Sequence, residues 1–322
     1  MNNVFIRIIG NMKRNIYSYS KLWMIFFVLM GAACTNQVED AIPVSGQPIE
    51  FSVQSDWKEI PNTRLNEGKK KFKAGDKIQI FGFHRSSSGV EMKFMYRAND
   101  PKKRGQIVTF DGTNWNYSPK RFWPKEGTLD FYVGYPEYSV LNDEDNHRMT
   151  YEQTVNPLQL DLLWGVATNR DCATARNDTV KIWMVHALAK VNIFFDGFSD
   201  EIGSVIVSAY KTGWFSRILD GGILDWHVDD KTNIDAVFYK YGDKNLIKNN
   251  SVTVFILPEK ITGFQMFDVP GNRINASDEI FDRIKNLTFK AGKEYNLRIS
   301  KGVQKKNTNS RSIAMSVRCV SE

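Results

Sequence analysis

Apolar and polar residues alternate along most of this chain from residue 49 onward. "IEFSV" (49–53) places Ile49, Phe51 and Val53 on one side, and "DKIQIFGF" (76–83) sets Ile78 and Ile80 against Gln79, Phe81 and Phe83. Successive side chains of a β-strand point to opposite faces, so such runs read as strands with one face turned to a core. "GQIVTFDGTNWNYS" (105–118) reads as a hairpin, with an Asp111-Gly112 turn and Trp115 and Tyr117 on the return. "LDFYVGYP" (129–136) is an apolar strand halted by Pro136, and "TVKIWMVHALAKVNIFF" (179–195) is strand-like throughout. "GSVIVSAY" (203–210), "SVTVFILP" (251–258), "NLTFK" (286–290) and "EYNLRIS" (294–300) follow, separated by turn signals such as Asp220-Gly221-Gly222 and Ala291-Gly292-Lys293. Many short strands and little helical periodicity predict an all-β chain built as a β-sandwich. The polar stretch "ATNRDCATARND" (167–178) is the expected boundary between two halves of similar strand count, 48–178 and 179–300.

One alternating run stands apart from the rest. "SIAMSVRCVSE" (312–322) puts Ile313, Met315, Val317 and Cys319 on one side, behind the polar and basic "KGVQKKNTNSR" (301–311). Residues 301–322 are therefore expected to be a linker plus one more amphipathic strand. Its partner is either the chain's own second half or another molecule.

The N-terminus carries a different pattern. Lys13, Arg14 and Lys21 precede the apolar run 22–30, which is followed by Gly31, Ala32, Ala33 and Cys34. A basic segment, a short apolar segment and small residues describe an export signal over residues 1–33, with Met12 as an alternative start. The apolar run is shorter than the roughly 20 residues that a membrane-crossing helix needs. After Cys34 comes "TNQVEDAIPVSGQP", polar and carrying Pro and Gly, which makes 34–47 an expected tether.

Composition narrows the function classes. The 322 residues are 42% hydrophobic and 13% aromatic, as in a globular protein large enough for two cores. The net charge of +7 includes Arg7, Lys13, Arg14 and Lys21 of the expected signal, which holds no acid, so the remainder carries +3. So weak an excess, with no basic stripe, gives no case for nucleic-acid binding. Beyond Cys34 only Cys172 and Cys319 remain, one candidate pair and no disulfide framework.

Enzymatic constellations are thin, and no cofactor is expected. His84, His147, His186 and His227 show no metal-ligand spacing, and no nucleophile elbow or phosphate loop is present. "NDEDNH" (142–147) lacks the spacing and closing glutamate of a calcium loop, so it reads as a solvated loop.

Several segments together resemble the fimbrillin family, the Mfa-like subunits of type V pili. They are "FKAGDKIQIFGF" (72–83), "WNYSPKRFWPKEGTLDFYVGYP" (115–136), "LQLDLLWGVA" (158–167), "VKIWMVHALAKVNI" (180–193), "VFILPE" (254–259) and "FKAGKEYNLRIS" (289–300). Cys34 after Gly-Ala-Ala also resembles a bacterial lipobox, whose cysteine is lipidated. The resemblance implies two tandem transthyretin-like β-sandwich domains and a structural or accessory role in surface fimbriae that support adhesion. It also implies a route, in which a lipoprotein precursor reaches the outer membrane and an Arg-specific protease removes its first strand. The strand of another subunit then fills the vacated groove. On this chain the displaced strand would carry Ile49, Phe51 and Val53, cleavage would follow Arg64, and the tail with Ile313, Met315, Val317 and Cys319 would be the donor. The partners would be other fimbrial subunits, the outer membrane and a host protein or glycan receptor. The alternative is a non-polymerising surface lipoprotein that binds glycan or host protein. Trp57, Trp123, Trp214 and Trp226 would then form a stacking platform, although tryptophans in a sandwich are more often core residues.

Overall fold

The computed structural model describes residues 42–55, 72–97, 104–143, 147–153, 161–198, 202–217, 224–229, 235–240, 251–301 and 315–321. Val44–Glu322 is one compact unit, and Met1–Pro43 is a separate one of which only Ile42 and Pro43 are described. The all-β expectation holds. The first strands are β1 (Val44–Pro48), β2 (Phe51–Ser55), β3 (Lys77–Arg85), β4 (Glu91–Met95), β5 (Gln106–Phe110), β6 (Trp115–Asn116), β7 (Phe122–Pro124) and β8 (Thr128–Tyr135). Then come β9 (Val140–Asp143), β10 (Arg148–Glu152), β11 (Leu163–Asp171), β12 (Val180–His186), β13 (Ala189–Asp196), β14 (Ile202–Ala209), β15 (Thr212–Ser216) and β16 (Trp226–Val228). The last are β17 (Asp235–Lys240), β18 (Ser251–Ile256), β19 (Ile261–Asp268), the helix α1 (Ser277–Ile284), β20 (Glu294–Lys301) and β21 (Met315–Ser321).

The largest sheet runs β2-β12-β11-β8-β3-β5-β6, with β4 beside β3. All its pairings are antiparallel except β2 on β12. The β5–β6 hairpin turns where the sequence predicts. Asp111 Oδ1 accepts from the amides of Thr113 (2.8 Å) and Asn114 (2.7 Å), and Gly112 takes φ +108°, which a residue with a Cβ rarely adopts. Those bonds favour the ionised carboxylate and hold the Asp111 pKa below its ordinary value.

Three differences from the sequence pattern matter. First, the run 179–195 is one strand by composition and two in space. It breaks at Ala187 and Leu188, so that β12 stays in the largest sheet while β13 enters the next one. The polar stretch 167–178 therefore closes a hairpin within a sheet: β11 continues to Asp171, a 3-10 turn spans Ala175–Asn177, and β12 returns beside β11. Second, the four-stranded sheet β16-β15-β10-β9 draws β9 and β10 from before residue 178 and β15 and β16 from after it. Its inner face (Val140, Met149, Phe215, Trp226) packs with Phe81, Phe83, Tyr132 and Trp164 of the largest sheet and with Phe255 and Leu257. Third, α1 has no counterpart in the sequence reading, and 286–290 forms an isolated bridge from Phe289 to Glu259 instead of a full strand.

Besides the two-stranded pair β1-β7, two further sheets, β18-β13-β20-β21 and β17-β14-β19, enclose the other core. It contains Val191, Ile193, Val205, Val207, Val254, Phe264, Met266, Leu297 and Ile299. Ile280 and Ile284 of α1 add to it, and their burial stabilises a helix too short to persist alone.

Candidate functional site: the first strand and the tail strand

The first strand combines a buried face with an edge position. Ile49, Phe51 and Val53 are all buried, at 0%, 6% and 7% exposure. Yet among the described residues β2 is the last strand of its sheet, paired with β12 alone. Its apolar side chains belong to the core while one row of its backbone groups has no strand beside it. That is the geometry in which one strand can be replaced by another of the same pattern.

Several contacts seat this segment. β1 pairs with β7, the Ile49 amide donates to the Arg121 carbonyl (2.9 Å), and the Val180 amide donates to the Glu50 carbonyl (2.8 Å). The Tyr117 hydroxyl, from the chain just after β6, donates to the Ile49 carbonyl at 2.8 Å. Burial raises the Tyr117 pKa to about 12 against its hydrogen bond to Arg121, so the phenol stays a donor. The Phe51 ring stands edge-on to Phe131 (centroids 5.3 Å, 87°) and tilted against Tyr117 (5.8 Å), while Trp123 meets Phe131 from another side. On the solvent face, register sets Gln54 beside Trp183, whose side of β12 is open enough to leave it 53% exposed.

The tail strand has a partner in its own chain. β21 pairs antiparallel with β20, with Val317 opposite Ile299 and Cys319 opposite Leu297, the two fully buried residues of β20. Of the two destinations open from sequence, this structure occupies the second half of the same chain. Ile313, Arg64, Cys34 and Trp57 lie outside the described residues. Cys172 is a free, buried thiol whose pKa burial pushes up to about 12, so it is not joined to Cys319.

The remaining candidates are absorbed into packing. Trp123 and Trp226 are buried, at 0% and 9% exposure. Trp214 stacks on His227 (4.0 Å, 15°) with the Arg148 guanidinium over its ring, so the chain's own groups occupy it. Among the described residues, Trp123, Trp214 and Trp226 form no platform together. His84 Nε2 meets the Glu126 carbonyl, and His186 Nδ1 meets Asp161 Oδ2. Arg217 is 5% exposed, contacts Glu91 Oε1 (3.0 Å) and His147 Nδ1 (2.5 Å), and lies over the rings of Phe83 (4.1 Å) and Tyr132 (5.2 Å).

Sequence reasoning missed Tyr117 as the clamp on Ile49, and it missed Trp183. The second had a visible signal: in "VKIWMVH" Trp183 sits on the same side as Lys181, the polar side of the alternation.

A family model described as fimbrillin-like matches residues 63–314. A comparison with curated proteins finds no match. Among solved structures, the chain is similar to a candidate cell adhesion protein from Bacteroides uniformis, at 15% identity and a TM-score of 0.52, covering 86% of this chain and 98% of that one. It is similar to another from Bacteroides ovatus at 12% identity and a TM-score of 0.48, covering 85% and 95%. The fimbrial anchor protein Mfa2 from Porphyromonas gingivalis matches at 11% identity and a TM-score of 0.37, covering 84% and 95%.

Proposed function

The chain belongs to the fimbrillin-like family, and on that premise we propose that it is a structural or accessory subunit of cell-surface fimbriae, assembled by strand exchange and supporting adhesion. The observation that carries this reading is β2. It supplies buried apolar side chains from the end of a sheet, held there by one strand on one side. It is also followed by residues 56–71, which contain Arg64 in "IPNTRLNEG". Cleavage after Arg64 releases the segment before it, and with it Ile49, Phe51 and Val53. The groove left behind is lined by Phe131, Tyr117 and Trp123 and bordered by the open backbone edge of β12.

A donor then needs large apolar side chains at every second position, each worth about 1.5–3 kcal/mol when buried. The tail, with Met315, Val317 and Cys319, has that spacing. Its place on β20 of its own chain makes it a stored strand in the precursor, so donation exchanges one pairing for another. Before cleavage, a lipid on Cys34 would hold the precursor in the outer membrane, since two or more acyl chains anchor firmly where one does not. The partners are other fimbrial subunits, and the chain's role is mechanical and adhesive, not catalytic.

The test is protease-triggered assembly of the purified precursor. Treatment with an Arg-specific protease is expected to produce an SDS-resistant ladder, and deletion of 302–322 is expected to abolish it. A ladder from the truncated protein would refute the donor role of the tail.

A further inference from the structure

The first strand and the tail are close to copies of one another. Residues 49–55 read IEFSVQS and residues 313–319 read IAMSVRC, identical at three of seven positions. Ile, Ser and Val recur at the same places, and Met315 and Cys319 stand where Phe51 and Ser55 do. The two segments also share a phase: Phe51 and Val53 are buried on β12, and Val317 and Cys319 lie opposite the buried Ile299 and Leu297 of β20.

Laying one segment on the other puts unlike residues at two exposed positions, Glu50 against Ala314 and Gln54 against Arg318, and the second brings in a charge. Gln54 becomes Arg318, and Gln54 is the register partner of Trp183. A guanidinium over an exposed indole face is a favourable pairing, and Arg stacks there better than Lys. The same residue is poorly placed at home. On β20 the register sets Arg318 directly opposite Arg298, and like charges at directly opposed positions weaken a pair of strands, an effect that Asp196, 3.6 Å from Arg298, offsets in part. One residue is thus disfavoured where the tail now sits and suited to the edge where an exchanged strand would arrive.

We propose, resting on the strand-exchange reading above, that the tail enters a second copy of this chain in a single register. Met315 takes the place of Phe51, Val317 that of Val53, and Arg318 that of Gln54 against Trp183. The occupant is a second copy because the match lies between two segments of one sequence. Moving the strand by two residues in either direction keeps its apolar phase but sets Ser316 or Val320 against Trp183. The first shift also puts Arg311 at the buried place of Ile49, which the core itself opposes, whereas the second keeps Met315, Val317 and Cys319 inward and is opposed by the loss of Arg318 from Trp183. The thirteen residues 302–314 that precede the tail can extend to about 45 Å, enough to reach a neighbour.

Paired cysteines test the register. In full-length precursor carrying Cys319→Ser, the pair Lys181→Cys with Ser316→Cys is expected to give intermolecular disulfides after Arg-specific cleavage. The pair Lys181→Cys with Ala314→Cys, which reports a shift by two residues and leaves Trp183 and Arg318 intact, is expected to give few. Arg318→Gln is expected to speed ladder dissociation about 2- to 5-fold, with Lys only a partial substitute. Trp183→Ala should do the same with no further loss in the double variant. Cross-linking of the shifted pair, or of neither pair in a ladder that still needs the tail, overturns the register and leaves strand exchange standing. A ladder that forms without residues 302–322 overturns both.

Discussion

Phe51→Ala removes a ring that is 6% exposed and packs on Phe131 and Tyr117. Truncating a buried Phe to Ala costs about 3–5 kcal/mol, and the lower end applies here because β2 lies at the end of its sheet and its neighbours can close in. With about 2–4 °C of Tm lost per kcal/mol in a unit of this size, the uncleaved precursor should melt about 6–12 °C lower by calorimetry. The consequence after cleavage is the informative part. If Phe51 leaves with the released segment, the polymer formed by the variant contains the same residues as the wild-type polymer. Both ladders should then dissociate at the same temperature in SDS. Phe131→Ala is the contrast: Phe131 is fully buried on β8 and stays in the groove, so it should weaken precursor and ladder alike. A Phe51→Ala ladder that dissociates earlier than wild type would mean that Phe51 is still part of the joint, and the exchange reasoning would fail. An unchanged precursor Tm would show that Phe51 does not hold the strand in place.

Two further outcomes follow from the packing. The Tyr117 pKa is raised from 10.0 to about 12 in the folded protein, so the neutral phenol contributes stability that is fully present below pH 10 and lost between pH 10 and 12. Tyr117→Phe should therefore lower stability at neutral pH by about 1–2 kcal/mol and show a shallower decline than wild type across that window in denaturant titrations; a parallel decline would refute the assignment. Arg217→Met should cost about 2–3 kcal/mol, because Glu91 loses its 3.0 Å partner while keeping Arg85 at 3.6 Å. Arg217→Lys should recover little of that, since an ammonium cannot lie flat on Phe83 and Tyr132; full recovery by Lys would show that charge alone matters.

How much of this was legible beforehand depends on what alternation encodes. Period-two patterning marks a strand and the face it buries, which is why 49–53, 105–118, 203–210, 251–258 and 294–300 fall on strands. It fails where both faces are buried: Ile78–Phe83 on β3 and Leu129–Gly134 on β8 are buried at every position, so neither face stands out. It is also silent on α1, whose eight residues show their helical role only through Ile280 and Ile284 against the core and through the Ser277 hydroxyl accepting from the Met266 amide.

By itself, the order of residues determined that the described part of this chain is predominantly β, that Ile49, Phe51 and Val53 share one side of a strand, and that the tail repeats such a pattern. Only the tertiary structure decided which strands lie together. It placed β2 parallel on β12, kept β12 in the first sheet past the polar stretch, joined β9 and β10 to β15 and β16, and laid the tail on β20. Side chains declare a face, but the hydrogen bonds that join strands come from backbone groups that every residue shares. The choice of partner is therefore settled by how whole faces pack, and an edge strand is where that choice is weakest.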